Sequence, residues 1–182
     1  FGDVPLDQHF VDTTDGEIVV MANGCLCCSV QDDIEGVIGR LFARRDQGPV
    51  PAFERMLIET SGLADPAPIM QMLLNQPGVN KDFRLENVVT VVDAVHGLRQ
   101  IGEHEEAYKQ VVLADRLIVS KADLCEAPHL AELDRQLLRL NPLAVRTRAK
   151  NGIVPPEWVL GAASEDSGST TRRWFDGLRE LE

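Results

Sequence analysis

Three of the four cysteines stand together in Asn23-Gly24-Cys25-Leu26-Cys27-Cys28-Ser29. Thiolates are soft donors that suit zinc and similar metals. The segment falls between a β-branched run and a helical pattern, and a helix N-terminus lowers a thiol's pKa and favours the thiolate. Three clustered cysteines rarely close a tetrahedral site alone, so a fourth ligand or water is expected. Two other readings stay open. The thiols could be buried and idle, or Cys25 and Cys28, which form a C-x-x-C pair, could be redox partners. A secreted disulfide framework spreads its cysteines to staple distant loops, whereas this cluster fits a reducing, cytoplasmic setting. Cys125 stands alone and reads as a small hydrophobe.

A second segment, Leu57-Ile58-Glu59-Thr60-Ser61-Gly62-Leu63-Ala64-Asp65-Pro66, runs from an apolar strand through an acid to Ser-Gly and a helix start. This is the layout of a Walker-B-type strand, whose acid holds a Mg²⁺ shell or orients water while the glycine amide faces a γ-phosphate. Taken alone it is also an ordinary strand end. A third, Leu117-Ile118-Val119-Ser120-Lys121-Ala122-Asp123-Leu124, has the spacing of a guanine-reading N-K-x-D. An aspartate there accepts hydrogen bonds from guanine N1–H and N2–H₂, a donor pair that adenine lacks. The lysine stem covers one face of the ring. The alternative is a strand followed by a turn capped by Asp123. A fourth, Asp93-Ala94-Val95-His96, ends a strand with a histidine that is either a metal ligand or a surface histidine.

The elements that must position these residues follow from periodicity. Five β-branched runs recur at Glu17–Met21, Met56–Glu59, Asn87–Val92, Arg116–Val119 and Leu143–Thr147, mostly apolar on both faces, as strands covered by helices on both sides are. Val30, Ile34, Val37, Ile38, Leu41 and Phe42 share a helical face after Ser29, a plausible N-cap, with Asp32 and Asp33 favourable to the dipole. Asp65-Pro66 starts a second helix through Ile69, Met70, Leu73 and Leu74. A third is expected over roughly Gly102–Ala114, and a fourth through Leu130, Leu133, Leu137, Leu138 and Leu140, ending before Pro142. Alternating strands and helices predict an α/β fold, a mostly parallel sheet with helices on both faces, whose ligands bind at the carboxyl ends of the strands. The stretch from Ala162 to Thr171 reads as a linker, and Trp174-Phe175 opens a short apolar element.

The 182 residues carry 18 Lys and Arg against 29 Asp and Glu, a net charge of −11, which opposes binding to the nucleic-acid polyanion. The apolar fraction of 44 % suits a globular core. Apolar runs such as Ile18–Ala22 are far too short to span a membrane. Phe1-Gly2-Asp3-Val4 reads like the interior of a longer protein.

Together these segments resemble the CobW-type P-loop GTPases. The matching text is Phe1 to Asp7 (F-G-D-V-P-L-D), N-G-C-L-C-C at 23–28, E-T-S-G-L-A-D-P at 59–66, V-V-D-A-V-H at 91–96 and S-K-A-D-L at 120–124. The resemblance implies a Rossmann-like P-loop NTPase fold over about residues 1–160, with 161–182 a linker, a tail or the start of a further element. It implies GTP hydrolysis to GDP with Mg²⁺, and a transition metal, Zn²⁺ or else Co²⁺, at C-x-C-C. Carried over by position, Cys25, Cys27 and Cys28 become the metal thiolates, Asp3 adds a carboxylate to the metal or the Mg²⁺ region, and His96 offers an extra metal ligand. Glu59 becomes the Walker-B-type acid, with Ser61 and Gly62 in the switch after it. Lys121 and Asp123 read guanine, Ser120 opens the same nucleotide-binding motif, and Lys150 borders the base.

The sequence departs from the family pattern twice. Ser120 replaces the usual asparagine, removing an amide that would brace the nucleotide loop. No G-x-x-G-x-G-K-[ST] occurs in the chain, and in the family that phosphate loop precedes the Phe-Gly-Asp-Val segment, so it is expected upstream of Phe1. The leading expectation is a GTP-hydrolysing metallochaperone that hands its cation to a client metalloprotein. The alternatives are a non-enzymatic metal storage or sensing module, an activator of a metalloenzyme such as nitrile hydratase, and a thiol oxidoreductase.

Overall fold

The computed structural model describes residues 29–48, 53–75 and 84–161. Helix α1 (Ser29–Gln47) buries Ile38, and near its end Phe42 meets Phe53 at 6.3 Å between ring centroids while the Arg45 guanidinium lies over both rings. Helix α2 (Pro66–Asn75) starts where the Asp-Pro signal places it. The Asp65 carboxylate accepts from Ala67 N at 2.9 Å, capping a turn that Pro66 enters with its fixed φ, and Ile69, Met70 and Met72 are buried.

The sheet contains β1 (Val89–Asp93), β2 (Arg116–Ser120) and β3 (Val145–Arg148) in that order, all parallel. Between β1 and β2 run α3 (Gly97–Glu103) and α4 (Glu105–Val112); α5 (Ala127–Leu140) joins β2 to β3, and α6 (Pro156–Leu160) follows β3. In register, Val92 and Val119 share one face with Leu117. These three pack with Ile101 of α3, Val111 of α4 and Leu133 and Leu137 of α5 into one core. Leu117, Leu133 and Leu137 are fully buried, each contributing about 1.5–3 kcal/mol. On the opposite face Ile118 is buried, Arg116 stacks over the Trp158 ring of α6 at 5.4 Å, and Val91 and Val145 stay exposed.

Two buried polar side chains fix how the elements enter the sheet. The Asp115 carboxylate accepts from Val88 N at 2.9 Å, while its backbone carbonyl accepts from Val145 N, so one residue aligns the starts of all three strands. The Asn141 amide donates to the carbonyls of Val111, Val112 and Ala114, and its oxygen accepts from Ala144 N. Carbonyls at the end of α4, which a helix leaves without partners, are thereby satisfied from the α5–β3 turn. At the start of α3 a Cβ on Gly97 would lie 2.7 Å from Val92 Cγ1, so the helix approaches the strand only because glycine stands there.

Three sequence expectations need correction. Met56–Glu59 is irregular rather than a strand, with Leu57 and Ile58 exposed and no ladder partner among the described residues. The single helix expected over Gly102–Ala114 is two helices, starting earlier at Gly97 and broken at His104, whose φ of −122° and ψ of 121° are extended. Glu105 and Glu106 then occupy the first turn of α4, where negative charge suits the dipole. Each of the three strands ends one residue beyond the run expected, at Asp93, Ser120 and Arg148, and β1 and β3 begin two residues later. The expected strand at Glu17–Met21 and the stretch after Gly161 lie outside the described residues.

Candidate nucleotide-binding site

The three strands deliver their carboxyl ends side by side. Asp93 pairs in register with Ser120, and Val119 pairs with Arg148. The ladder continues one step past the strands: Ala94 N donates to Ser120 O and Ala149 N to Val119 O, both at 2.9 Å. The residues after β1, β2 and β3 therefore emerge along one rim, the place where open parallel sheets bind ligands.

After β2 the chain turns sharply. Ser120 Oγ donates to Val92 O at 3.3 Å, tying the turn back to β1. Lys121 is left-handed, with φ 55° and ψ 26°, a conformation that costs a non-glycine residue about 1–2 kcal/mol. A 3₁₀ turn over Ala122–Leu124 follows, closed by Leu124 N donating to Lys121 O at 3.1 Å. Asp123 and the Lys121 side chain are exposed, while Cys125 packs against the core. The turn thus holds its lysine and aspartate outward and its small hydrophobe inward.

Asp93 holds that turn from the neighbouring strand. Its Oδ2 lies 2.6 Å from Lys121 Nζ, and its Oδ1 accepts from Val95 N at 2.8 Å and His96 N at 3.2 Å. Burial opposes ionisation of this carboxyl. The bonds from the Lys121 ammonium and the two backbone N–H groups outweigh it and hold the carboxyl below its ordinary value. His96 itself is exposed, and from α5 His129 Nε2 lies 2.8 Å from Ala94 O, steadying the same turn.

After β3, Lys150 and Ile153 exchange both backbone hydrogen bonds around Asn151-Gly152. Both central residues have positive φ, 51° and 74°, as a two-residue type I′ hairpin turn demands and as Asn-Gly supplies. Lys150 is exposed at the base of this turn, next along the rim from the Lys121 turn.

Glu59, Ser61 and Gly62 are exposed on a separate segment. Its turn, closed by Ala64 N donating to Ser61 O, is fastened to α4: Gln110 Nε2 donates to Gly62 O and Ala64 O, and Lys109 pairs with Asp65 at 2.8 Å. The Asp65 and Glu105 carboxylates beside Lys109 raise its ammonium well above the usual lysine value. The donors at 59 and 61 are a carboxylate and a hydroxyl, the hard oxygens Mg²⁺ prefers.

The structure thus joins Ser120, Lys121 and the His96 turn through Asp93, with Asp123 and Lys150 on the same rim. Cys25, Cys27, Cys28 and Asp3 lie outside the described residues, among which no group of three or more His, Cys, Asp or Glu is placed to hold a metal ion. The motif Asp93-Ala94-Val95-His96 points first to its histidine, whereas the structure gives the bonds to Asp93. The signal was present, since an aspartate ending a strand readily takes the N–H groups two and three residues on.

Among solved structures, Zn(II)-bound YjiA GTPase from E. coli matches with a TM-score of 0.63 and 30 % identity, over 68 % of this chain and 38 % of that one. The zinc chaperone YjiA of Escherichia coli (strain K12) is 33 % identical over 144 residues, which is 79 % of this chain and 44 % of the relative. The zinc chaperone CobW of Pseudomonas aeruginosa is 32 % identical over 198 residues, covering 91 % of this chain and 51 % of the relative. The chain spans about half the length of these curated relatives. Its fold is that of an α/β P-loop NTPase-like domain, a parallel sheet with helices. Residues 1–147 match the profile of the CobW/HypB/UreG nucleotide-binding domain, and the chain belongs to that family of CobW-type P-loop GTPases and metallochaperones.

Proposed function

We propose that this chain is the nucleotide-binding part of a GTP-hydrolysing zinc chaperone, which carries its cation on Cys25, Cys27 and Cys28 and passes it to a client metalloprotein. The observation that carries the reading is the rim turn, where Lys121 and Asp123 face outward at the carboxyl end of a parallel sheet, on a chain that also bears C-x-C-C. Asp123 accepts the guanine N1–H and N2–H₂ bonds, the Lys121 stem lies over the ring, Ser120 braces the turn and Lys150 borders the base. Glu59 holds part of the Mg²⁺ shell or orients the attacking water, and Ser61 and Gly62 move with the γ-phosphate. Asp3 and His96 complete the zinc donors; Co²⁺ is the second candidate cargo. Zn²⁺ has the stronger support, because the relatives are named zinc chaperones and thiolates suit it.

The C-x-C-C segment lies between the Asp3 and Glu59 segments in sequence, so ordering those two around GTP changes the setting of the thiolates, and hydrolysis changes it back. No helix among the described residues is long and apolar enough to cross a membrane, and the cysteine cluster in the sequence suits the reducing cytoplasm.

Phosphate release from GTP by the protein tests the enzymatic half. Release should require Mg²⁺ and fall about 10²-fold or more in Glu59→Gln, where the general-base and metal-shell role is lost. Zinc binding with no GTP turnover under any metal condition would replace this reading with the storage or sensing module.

A further inference from the structure

We infer that Asp93, at the end of β1, is the positioning residue of the guanine pocket: its carboxylate sets the Lys121 side chain and, through the left-handed Lys121 backbone, the place of Asp123. The inference rests on the guanine reading proposed above and adds a residue to it.

One carboxylate makes three bonds in two directions. Oδ1 takes the N–H groups of Val95 and His96, so the side chain is locked to its own strand end. Oδ2 reaches across to Lys121 Nζ at 2.6 Å. The strands beneath are in register at Asp93 and Ser120, and Ala94 N donates to Ser120 O, so the two turns cannot slide relative to each other. The partners also differ in exposure: the Asp93 side chain is 19 % exposed and the Lys121 side chain 56 %. Asp93 is therefore the fixed member and Lys121 the member presented to a ligand.

A lysine at a ring face must keep its stem extended along the base, yet free lysine side chains sample many rotamers. An anchored ammonium removes most of that freedom before the nucleotide arrives, and preorganisation raises affinity without any new contact to the ligand. The left-handed Lys121 backbone bends the chain into the 3₁₀ turn that carries Asp123, so releasing the ammonium loosens the residue that reads the base. The carboxylate itself need not touch the nucleotide.

Asp93→Asn separates the two directions. Its amide oxygen still accepts from Val95 and His96 N–H, and His129 still holds the Ala94 carbonyl, but the amide nitrogen now opposes the ammonium. The probe is GDP, with ADP as the control, titrated by calorimetry into the wild type, Asp93→Asn, Lys121→Met and the double variant. GDP affinity should fall about 10-fold in Asp93→Asn, the scale of the lysine rotamer freedom that the anchor removes before the nucleotide arrives. The melting temperature should stay near that of the wild type. The double variant should lose no more than Lys121→Met alone, because the aspartate acts only through the lysine. GDP affinity within twofold of wild type in Asp93→Asn, or losses that multiply in the double variant, would overturn the inference while leaving the guanine reading intact. A wild type that binds ADP as well as GDP would overturn both.

Discussion

Asp123→Ala is expected to weaken GDP binding by about 10²–10³-fold and to abolish the preference for guanine over adenine. Two hydrogen bonds to a charged acceptor are lost together, each worth about 1.5–3 kcal/mol, with water recovering part of the loss. The residue is exposed on its 3₁₀ turn, so the substitution removes no core contact and the fold is expected to survive. Asp123→Asn goes further, because it changes which base fits. Xanthine carries a carbonyl where guanine carries its N2 amino group, and an asparagine amide donates where the carboxylate accepted. The variant should therefore favour xanthosine diphosphate over GDP by about 10-fold or more. Competition titrations with the two diphosphates measure this, and retained GDP preference in Asp123→Asn would place base recognition elsewhere.

The second large effect concerns the cation. Replacing Cys25, Cys27 and Cys28 together with serine is expected to lower zinc affinity by at least about 10³-fold, since a hydroxyl is a far poorer donor to Zn²⁺ than a thiolate. Competition against a chromophoric chelator reads the change. Cys125→Ser is the matched control: Cys125 packs against the core after the Lys121 turn, and its loss should leave zinc affinity unchanged. Zinc held as tightly by the triple variant would exclude the cluster as the carrier. His96→Ala should give a smaller loss than the triple variant if His96 supplies a single additional donor.

Much of this arrangement was legible residue by residue. Asp65-Pro66 marked the start of α2 because an aspartate cap and a proline at the first helical position are local chemistry. The leucine spacing of α5 and the Pro142 stop were equally local. The Met56–Glu59 run failed as a strand for the complementary reason. A strand's hydrogen bonds belong to another segment, and an apolar run does not name its partner. The expected helix over Gly102–Ala114 ran through His104 because no proline interrupts it, although Gly102 just before the break and the Glu105-Glu106 start signal just after it both mark a boundary.

At the rim, the spacing of S-K-A-D was enough to single out Lys121 and Asp123 as candidates, and both are exposed there. What spacing could not announce was that Asp93, 28 residues earlier, faces Lys121. That pairing comes from sheet register, which sets Asp93 beside Ser120 and is decided by the whole β1–α3–α4–β2 unit. The turn behind Lys150 is legible in the Asn151-Gly152 pair, a hairpin signal whose positive φ angles the structure bears out. Asp115 and Asn141 were invisible for the same reason as Asp93, since their partners lie on elements brought close only by folding.

In the proposed function, the thiolates and the guanine pocket share one equilibrium. Zinc affinity of the protein, measured by chelator competition with Mg²⁺ and a non-hydrolysable GTP analogue and again with GDP, tests it directly. The two states should differ in zinc affinity by about 5-fold or more, the usual scale of a coupling free energy between two sites. Equal zinc affinity in the two states, with both nucleotides shown to be bound, would contradict it.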